Sequence, residues 1–228
     1  MLDIALERLE RDGGCDATVV FLGDYTDRGP DSKGVIDSLI AGHDAGRDWV
    51  FIKGNHDRMF EWYMQTPSKP DPYMFIELYW LHERLGGDTT FQSYGIDMSK
   101  RWRQVDLHTH ALETVPERHV QFLKDLTLSH ETDDLFFCHA GIRPGVALAD
   151  QDEEDLLWIR QEFHAANARH TKLIAHRHTP VDQATPYGNH TNLDTGAGYN
   201  KPLTVAVFES ATCWTLGPDG RTPLNPAV

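Results

Sequence analysis

Two carboxylates and an arginine, Asp24, Asp27 and Arg28, stand between Gly23 and Gly29 directly after an apolar run, Ala17 to Leu22. A carboxylate in such a place can hold a hard or borderline cation, and a nearby guanidinium can take a phosphate through two parallel hydrogen bonds. The arrangement recurs along the chain. Trp49-Val50-Phe51-Ile52 leads into Gly54-Asn55-His56-Asp57, Leu135-Phe136-Phe137-Cys138 into His139-Ala140-Gly141, and Lys172-Leu173-Ile174-Ala175 into His176-Arg177-His178-Thr179-Pro180. Asp24, Asn55, His139 and the His176/His178 pair are oxygen and nitrogen donors of the kind that zinc, manganese and iron accept. Any one of them is more often structural, a solvated Asp-Gly turn or a satisfied histidine. Four in succession, each after a buried strand, point to metal chemistry at one edge of a sheet. His108-Thr109-His110 also has ligand spacing, but no strand precedes it and no acidic partner is near, so it is read as a surface loop.

The elements that carry these residues follow from hydrophobic period. Apolar positions at Leu2, Ala5, Leu6 and Leu9 predict a helix over Met1–Asp12, stopped by Gly13-Gly14. Residues 17–22 predict a strand, Val35, Ile36, Leu39 and Ile40 a helix over 31–45, and 49–52 a second strand. That is a βαβ unit with a parallel sheet, and open α/β sheets bind ligands at the carboxyl ends of their strands. A helix through Met59, Phe60, Tyr63 and Met64 follows Gly54. Pro116 starts a short helix, and the acidic run Asp150 to Asp155 opens another, where carboxylates complement the helix dipole. The tail, with His190–Asp194, Leu203–Phe208 and Cys213–Leu216, alternates like an antiparallel meander. Residues 67–112 differ in character: three prolines, the aromatic stretches Tyr73–Ile76 and Leu78–Leu81, then Gly86-Gly87. They are read as a mainly helical insertion in a single domain spanning 1–228, with the aromatic stretches as core with an exposed rim.

The chain has 21 Lys+Arg against 35 Asp+Glu, a net charge of −14. Such a surface offers no field to displace the counterions of nucleic acid or of an anionic membrane, so neither is an expected partner. A phosphate site can still form where a metal and a few arginines converge. No stretch approaches the length of an apolar membrane span and no secretory signal opens the chain, so a cytoplasmic location is expected. Cys15, Cys138 and Cys213 are far apart and read as small hydrophobes in a reducing compartment.

The residues after the strands also carry a resemblance. Gly23-Asp24-Tyr25-Thr26-Asp27-Arg28-Gly29 resembles the GDxxDRG motif of the phosphoprotein phosphatase family within the calcineurin-like metallophosphoesterases, and Gly54-Asn55-His56-Asp57 resembles its GNH[ED]. His139-Ala140-Gly141 is similar to the third motif. His178-Thr179-Pro180, with Asn192–Ala197 after it, is similar to the GHTP region of bacterial serine/threonine phosphatases and of the bacteriophage lambda phosphatase. Order and spacing match from residue 17 to about residue 208. The resemblance implies a four-layer α/β/β/α sandwich. It makes Asp24 the carboxylate bridging two divalent ions, with Asn55, His139 and His178 the other ligands of the second. His56 becomes the acid that protonates the leaving oxygen, Asp27 the residue orienting its ring, and Arg28, Arg160 and Asn55 the phosphate-binding groups. Metal-bound hydroxide would attack in line. To this we add Asp194 as an acceptor for a metal-bound histidine's second nitrogen.

Two departures stand out. The family's earlier motif, GDxHG, whose residues hold the first ion, has no counterpart between Met1 and Asp24, so the fold is expected to lack its first strand and ligands for one complete ion are visible. Either Met1 is an internal methionine of a longer protein or the first site is truly lost; the first is favoured, since losing a central strand leaves an open edge. Arg177 replaces the glycine before His178, which either crowds the turn or adds a cation, and leaves His176 as an alternative ligand. The activity implied is metal-dependent hydrolysis of a phosphate monoester, foremost phosphorylated Ser, Thr or Tyr in a protein, with manganese the first metal choice and iron or zinc next. The alternatives are a dinucleoside polyphosphate hydrolase, within the same family, and a catalytically silent phosphate-binding protein.

Overall fold

The computed structural model describes residues 1–74, 79–166 and 170–224. Along the chain run α1 (Leu2–Arg11), β1 (Val19–Phe21), α2 (Ser32–Asp44), β2 (Trp49–Phe51) and α3 (Asn55–Tyr63). Then come α4 (Gly87–Ser93), α5 (Gln104–Thr114), α6 (Glu117–Asp125), β3 (Ser129–Glu131), β4 (Leu135–Cys138), α7 (Glu153–Trp158) and α8 (Gln161–His164). The chain closes with β5 (Leu173–His176), β6 (Thr185–Pro186), β7 (His190–Asn192), β8 (Ala206–Glu209), β9 (Thr212–Gly217) and β10 (Gly220–Pro223). The result is a mixed α/β protein in two compact units, one of residues 1–22, 48–52 and 127 onward, the other of 23–47 and 53–126.

The first unit holds the sheets. β1 and β2 pair in parallel, as the βαβ reading requires, and a five-stranded sheet runs in the order β3-β4-β5-β7-β6. Its central strands alternate faces, as the two-residue period of a strand demands. Leu135, Phe137 and Ala175 pack with Ile52, Val20, Leu22 and Phe208. Phe136, Cys138 and Ile174 point the other way, into Leu156 of α7, Ile159 just after it and Phe163 of α8. The expected meander holds for β8-β9-β10 only. β7 instead lies parallel to β5, with His176 opposite Asn192, and antiparallel to β6. The C-terminal hairpin is tied to the end of α1 by Arg221, which donates to Asp12 and also pairs with Glu209.

The second unit is helical among its described residues. Asp31 caps α2 by accepting the Gly34 N–H at 2.8 Å, and Ile36, Leu39 and Ile40 form its buried face. His119 of α6 joins Tyr94 Oη at 2.8 Å and Asp37 of α2 at 2.9 Å. His108 and His110, expected in a loop, lie on α5, whose buried face is Leu107 and Ala111. His108 reaches the Gln65 carbonyl at 3.0 Å and His110 stacks on Trp102. Part of the aromatic stretch, 75–78, lies outside the described residues; of the rest, Trp80 is buried while Tyr73 and Tyr79 are exposed.

An ion pair with no solvent access, Arg58 Nε to Asp71 Oδ2 at 2.8 Å, fixes the segment after α3. Removing one partner strands the other charge in the interior, which costs about 3–5 kcal/mol. Asp71→Ala is therefore expected to lower the urea midpoint steeply, and a midpoint equal to the parent's would show the pair to be dispensable.

Candidate active site

The segment after β1 turns on left-handed backbone. Asp24, Asp27 and Arg28 have φ of 56°, 73° and 60°, and His178 has 79°; only Asn200 and Ser210 join them as non-glycine residues with positive φ among the described residues. Such backbone costs L-residues energy and persists where the surroundings impose it, often at functional sites. Here the imposing group in the second unit is Asp57, the last residue of the Gly54–Asp57 stretch. Its buried carboxylate accepts the N–H of Asp24 at 2.7 Å, of Tyr25 at 2.9 Å and of Gly54 at 2.8 Å. Burial, and then the Asp24 charge, push Asp57 above the usual carboxylate range, while these N–H donors pull against them. The sequence reading gave Asp57 no role, yet it folds the loop that presents Asp24.

α3 begins at Asn55, so Asn55 and His56, both buried, occupy its first turn. The His56 N–H donates to Asp24 Oδ1 at 3.2 Å. The His56 ring meets Asp27 at 2.5 Å through Nδ1, which assigns that nitrogen the donor role and turns Nε2 the other way. Asp27 has no exposed side-chain surface. Its carboxylate also accepts from Trp80 Nε1 at 2.9 Å and Thr90 Oγ1 at 2.7 Å, and its backbone N–H donates to Thr90 and Ser32. Three donors on one buried carboxylate leave it little freedom. Trp80 is itself stacked on Phe60 at 5.0 Å between ring centroids.

Gly86 and Gly87 make room for this. A Cβ on Gly87 would lie 2.6 Å from the Trp80 ring, and one on Gly86, at φ 88°, would meet the Arg28 backbone nitrogen at 2.4 Å. Gly87→Ala is expected to cost about 1–3 kcal/mol as overpacking and to slow turnover by shifting Trp80 off Asp27. Unchanged kcat with lowered stability would confine Gly87 to packing.

In the first unit, β4 delivers His139 and the turn after β5 delivers His178. His139 Nδ1 donates to the Leu22 carbonyl at 2.7 Å, so its Nε2 carries a lone pair, and that Nε2 lies 3.2 Å from His178 Nδ1. The Leu22 carbonyl, rather than Asp194, therefore serves His139. Asp194 accepts the Gly196 N–H at 2.9 Å and lies 3.9 Å from Arg177 Nη2. Arg177 fits without crowding because the left-handed residue is His178, and its own N–H bonds the His139 carbonyl at 2.8 Å. Trp158 sits edge-on to the His178 ring, two residues before Arg160, the N-cap of α8. His176 turns away from His139 and His178, towards His190 at 2.9 Å.

Within each unit the donors suit a divalent ion in kind. The first unit offers two buried imidazoles 3.2 Å apart, one locked by a carbonyl into the ligating tautomer. The second offers a carboxylate that accepts the His56 N–H and an amide in the first turn of α3. Trp80, Thr90, Asp57 and the Leu22 carbonyl are what the sequence reading missed; only the GNH[ED] position of Asp57 offered a signal.

A mixed α/β chain with such donors after its strands has the build of a metallophosphoesterase. The family model described as calcineurin-like phosphoesterase matches residues 3–207, and the chain belongs to that family, whose members are hydrolases that use divalent metals. It is 24% identical over 209 residues to the asymmetrical bis(5'-nucleosyl)-tetraphosphatase PrpE of Anoxybacillus flavithermus, covering 83% of this chain and 75% of that protein. With the protein of the same name from Bacillus thuringiensis it shares 26% over 208 residues, with the same coverage of 83% and 75%. Among solved structures, one assigned as a diadenosine tetraphosphatase aligns with TM-score 0.55 at 17% identity, covering 97% of this chain and 88% of that one. A cold-active protein tyrosine phosphatase aligns with TM-score 0.57 at 14% identity, covering 99% and 75%. Such likenesses speak for the fold alone. No helix among the described residues is long and apolar enough to cross a membrane.

Proposed function

We propose that this chain hydrolyses the phosphoanhydride chain of a dinucleoside tetraphosphate, the alternative raised from the sequence, in place of the protein-phosphate monoester put first there. The observation that carries this reading is the alignment with asymmetrical bis(5'-nucleosyl)-tetraphosphatases over 83% of the chain. Asp24 and Asn55 in the second unit, and His139 and His178 in the first, are the residues that would hold a divalent ion, which when bound would supply an acidified water and a counter-charge for phosphate oxygens. Arg28 and Arg160 bind the phosphate oxygens, and Asn55 lends its amide. Asp27, held by Trp80 and Thr90, orients His56 through Nδ1, and His56 Nε2 gives its proton to the departing oxygen. This supported acid argues against a silent phosphate-binding protein, which has no use for a leaving-group proton.

The protein phosphatase reading keeps support from His178-Thr179-Pro180 and the GDxxDRG-like stretch. Anion-exchange chromatography separates the two. With manganese present, diadenosine tetraphosphate is expected to give a nucleoside triphosphate and a monophosphate, while a phosphoserine peptide releases far less phosphate. Rapid phosphate release from the peptide with the dinucleotide left whole would reverse the choice.

A further inference from the structure

Three histidines that the reading above leaves without a task meet in the first unit. α8 ends on His164, β5 ends on His176 and β7 begins on His190. One ring nitrogen from each lies within 4.8 Å of the other two. His176 and His190 are buried, and Phe163 packs against both rings, at 5.1 and 4.6 Å between centroids. We propose that His164, His176 and His190 form a second metal site, a three-imidazole site for a zinc-class divalent ion, separate from the donors of the candidate active site.

The protonation pattern suits ligation. His176 Nδ1 donates to the Arg177 carbonyl at 3.1 Å, which leaves Nε2 with its lone pair aimed at the cluster. This is the carbonyl-oriented histidine common at metal centres. His190 Nδ1 stands 2.9 Å from that Nε2. His164 Nε2 is buried and has no hydrogen-bond partner among the described residues, an omission that costs energy unless something ligates it. Burial, and then the Arg160 cation, hold His164 below the usual imidazole range.

Distances suit zinc. Bonds of about 2.1 Å in a tetrahedron put ligand nitrogens about 3.4 Å apart, a value between the 2.9 Å of the His176–His190 pair and the 4.8 Å limit of the set. Binding would open the His176–His190 contact slightly and draw His164 inward. Three neutral imidazoles with no carboxylate select a borderline ion over magnesium or calcium, and water completes four-coordination. The ion would join the end of α8 to two neighbouring parallel strands, and so brace the segment that carries Arg160.

The test uses the metal-stripped full chain, cobalt(II) as a spectroscopic probe and zinc as competitor. The parent is expected to show the visible bands of four-coordinate cobalt, bleached by zinc, and Asp24→Asn/His139→Gln is expected to keep them. His164→Gln/His190→Gln loses those bands and one equivalent of bound zinc by elemental analysis. Zinc raises the melting temperature of Asp24→Asn/His139→Gln, and adding His164→Gln/His190→Gln to that variant removes the rise. Should the double variant fail to fold, His164→Gln alone, at a half-buried position, is expected to weaken zinc at this site by about tenfold or more. Parent-like cobalt bands, zinc content or affinity in the His164 variants would overturn the proposal, whatever the substrate proves to be.

Discussion

On a phosphate ester with a poor leaving group, His56→Asn is expected to lower kcat by about 10²–10⁴-fold, the span that a positioned general acid contributes. The side chain is buried with its Nδ1 on Asp27, so asparagine keeps a donor near that carboxylate but removes the proton at Nε2. The signature lies in the leaving group. Where the departing oxygen is already acidic, as in p-nitrophenyl phosphate, the proton matters less, and the deficit should shrink. Where it is an alkoxide, as in a phosphoserine peptide, the deficit should reach its maximum. Measured kcat for both substrates decides it: an equal deficit on each would mean that His56 acts through binding or folding instead. Asp27→Asn is expected to follow the same pattern more weakly, because Trp80 and Thr90 still hold the residue in place.

Removing the metal is expected to abolish turnover. A bound ion supplies several kcal/mol of transition-state stabilisation, and each 1.36 kcal/mol is a factor of ten, so dialysis against a chelator should cost about 10³-fold or more. His139→Ala should reproduce that loss at sub-saturating manganese. It deletes a buried imidazole whose Nε2 faces His178 and leaves the Leu22 carbonyl without its donor. Isothermal titration with manganese reports the affinity directly. Full activity of the chelated protein, with residual metal below a tenth of an equivalent, would refute the metal assignment.

What could be read from the sequence was local. Asp24, Asp27, Arg28, Asn55 and His56 follow strands whose apolar runs are short and unbroken, and β1, β2, β4 and β5 all lie where those runs are. What could not be read depended on partners far along the chain. Trp80 and Thr90 reach Asp27 from 53 and 63 residues away, and no period links such positions. Alternation in 190–192 identified β7 but not its neighbour, since period two fixes which face a side chain takes and not the direction of the adjacent strand. The mainly helical reading of 67–112 covers most of α5, but His108 and His110 are not placed on a helix because its buried positions, Leu107 and Ala111, are sparse among polar residues; their four-residue spacing is the available signal. His176 and His178 share a face only if the strand runs on through both. β5 ends at His176 and the backbone of His178 is left-handed, so the two rings part.

The left-handed backbone at Asp24, Asp27, Arg28 and His178 has a bearing on any effort to make a hardier enzyme. Each position holds an L-residue in a conformation costing of order 1–2 kcal/mol that glycine would adopt freely. A selection for heat resistance will be drawn to glycine at these codons, and each step will delete a side chain assigned to metal, acid or phosphate. Thermal tolerance and turnover are thus set against each other at these four positions, and a library aimed at durability should leave them fixed.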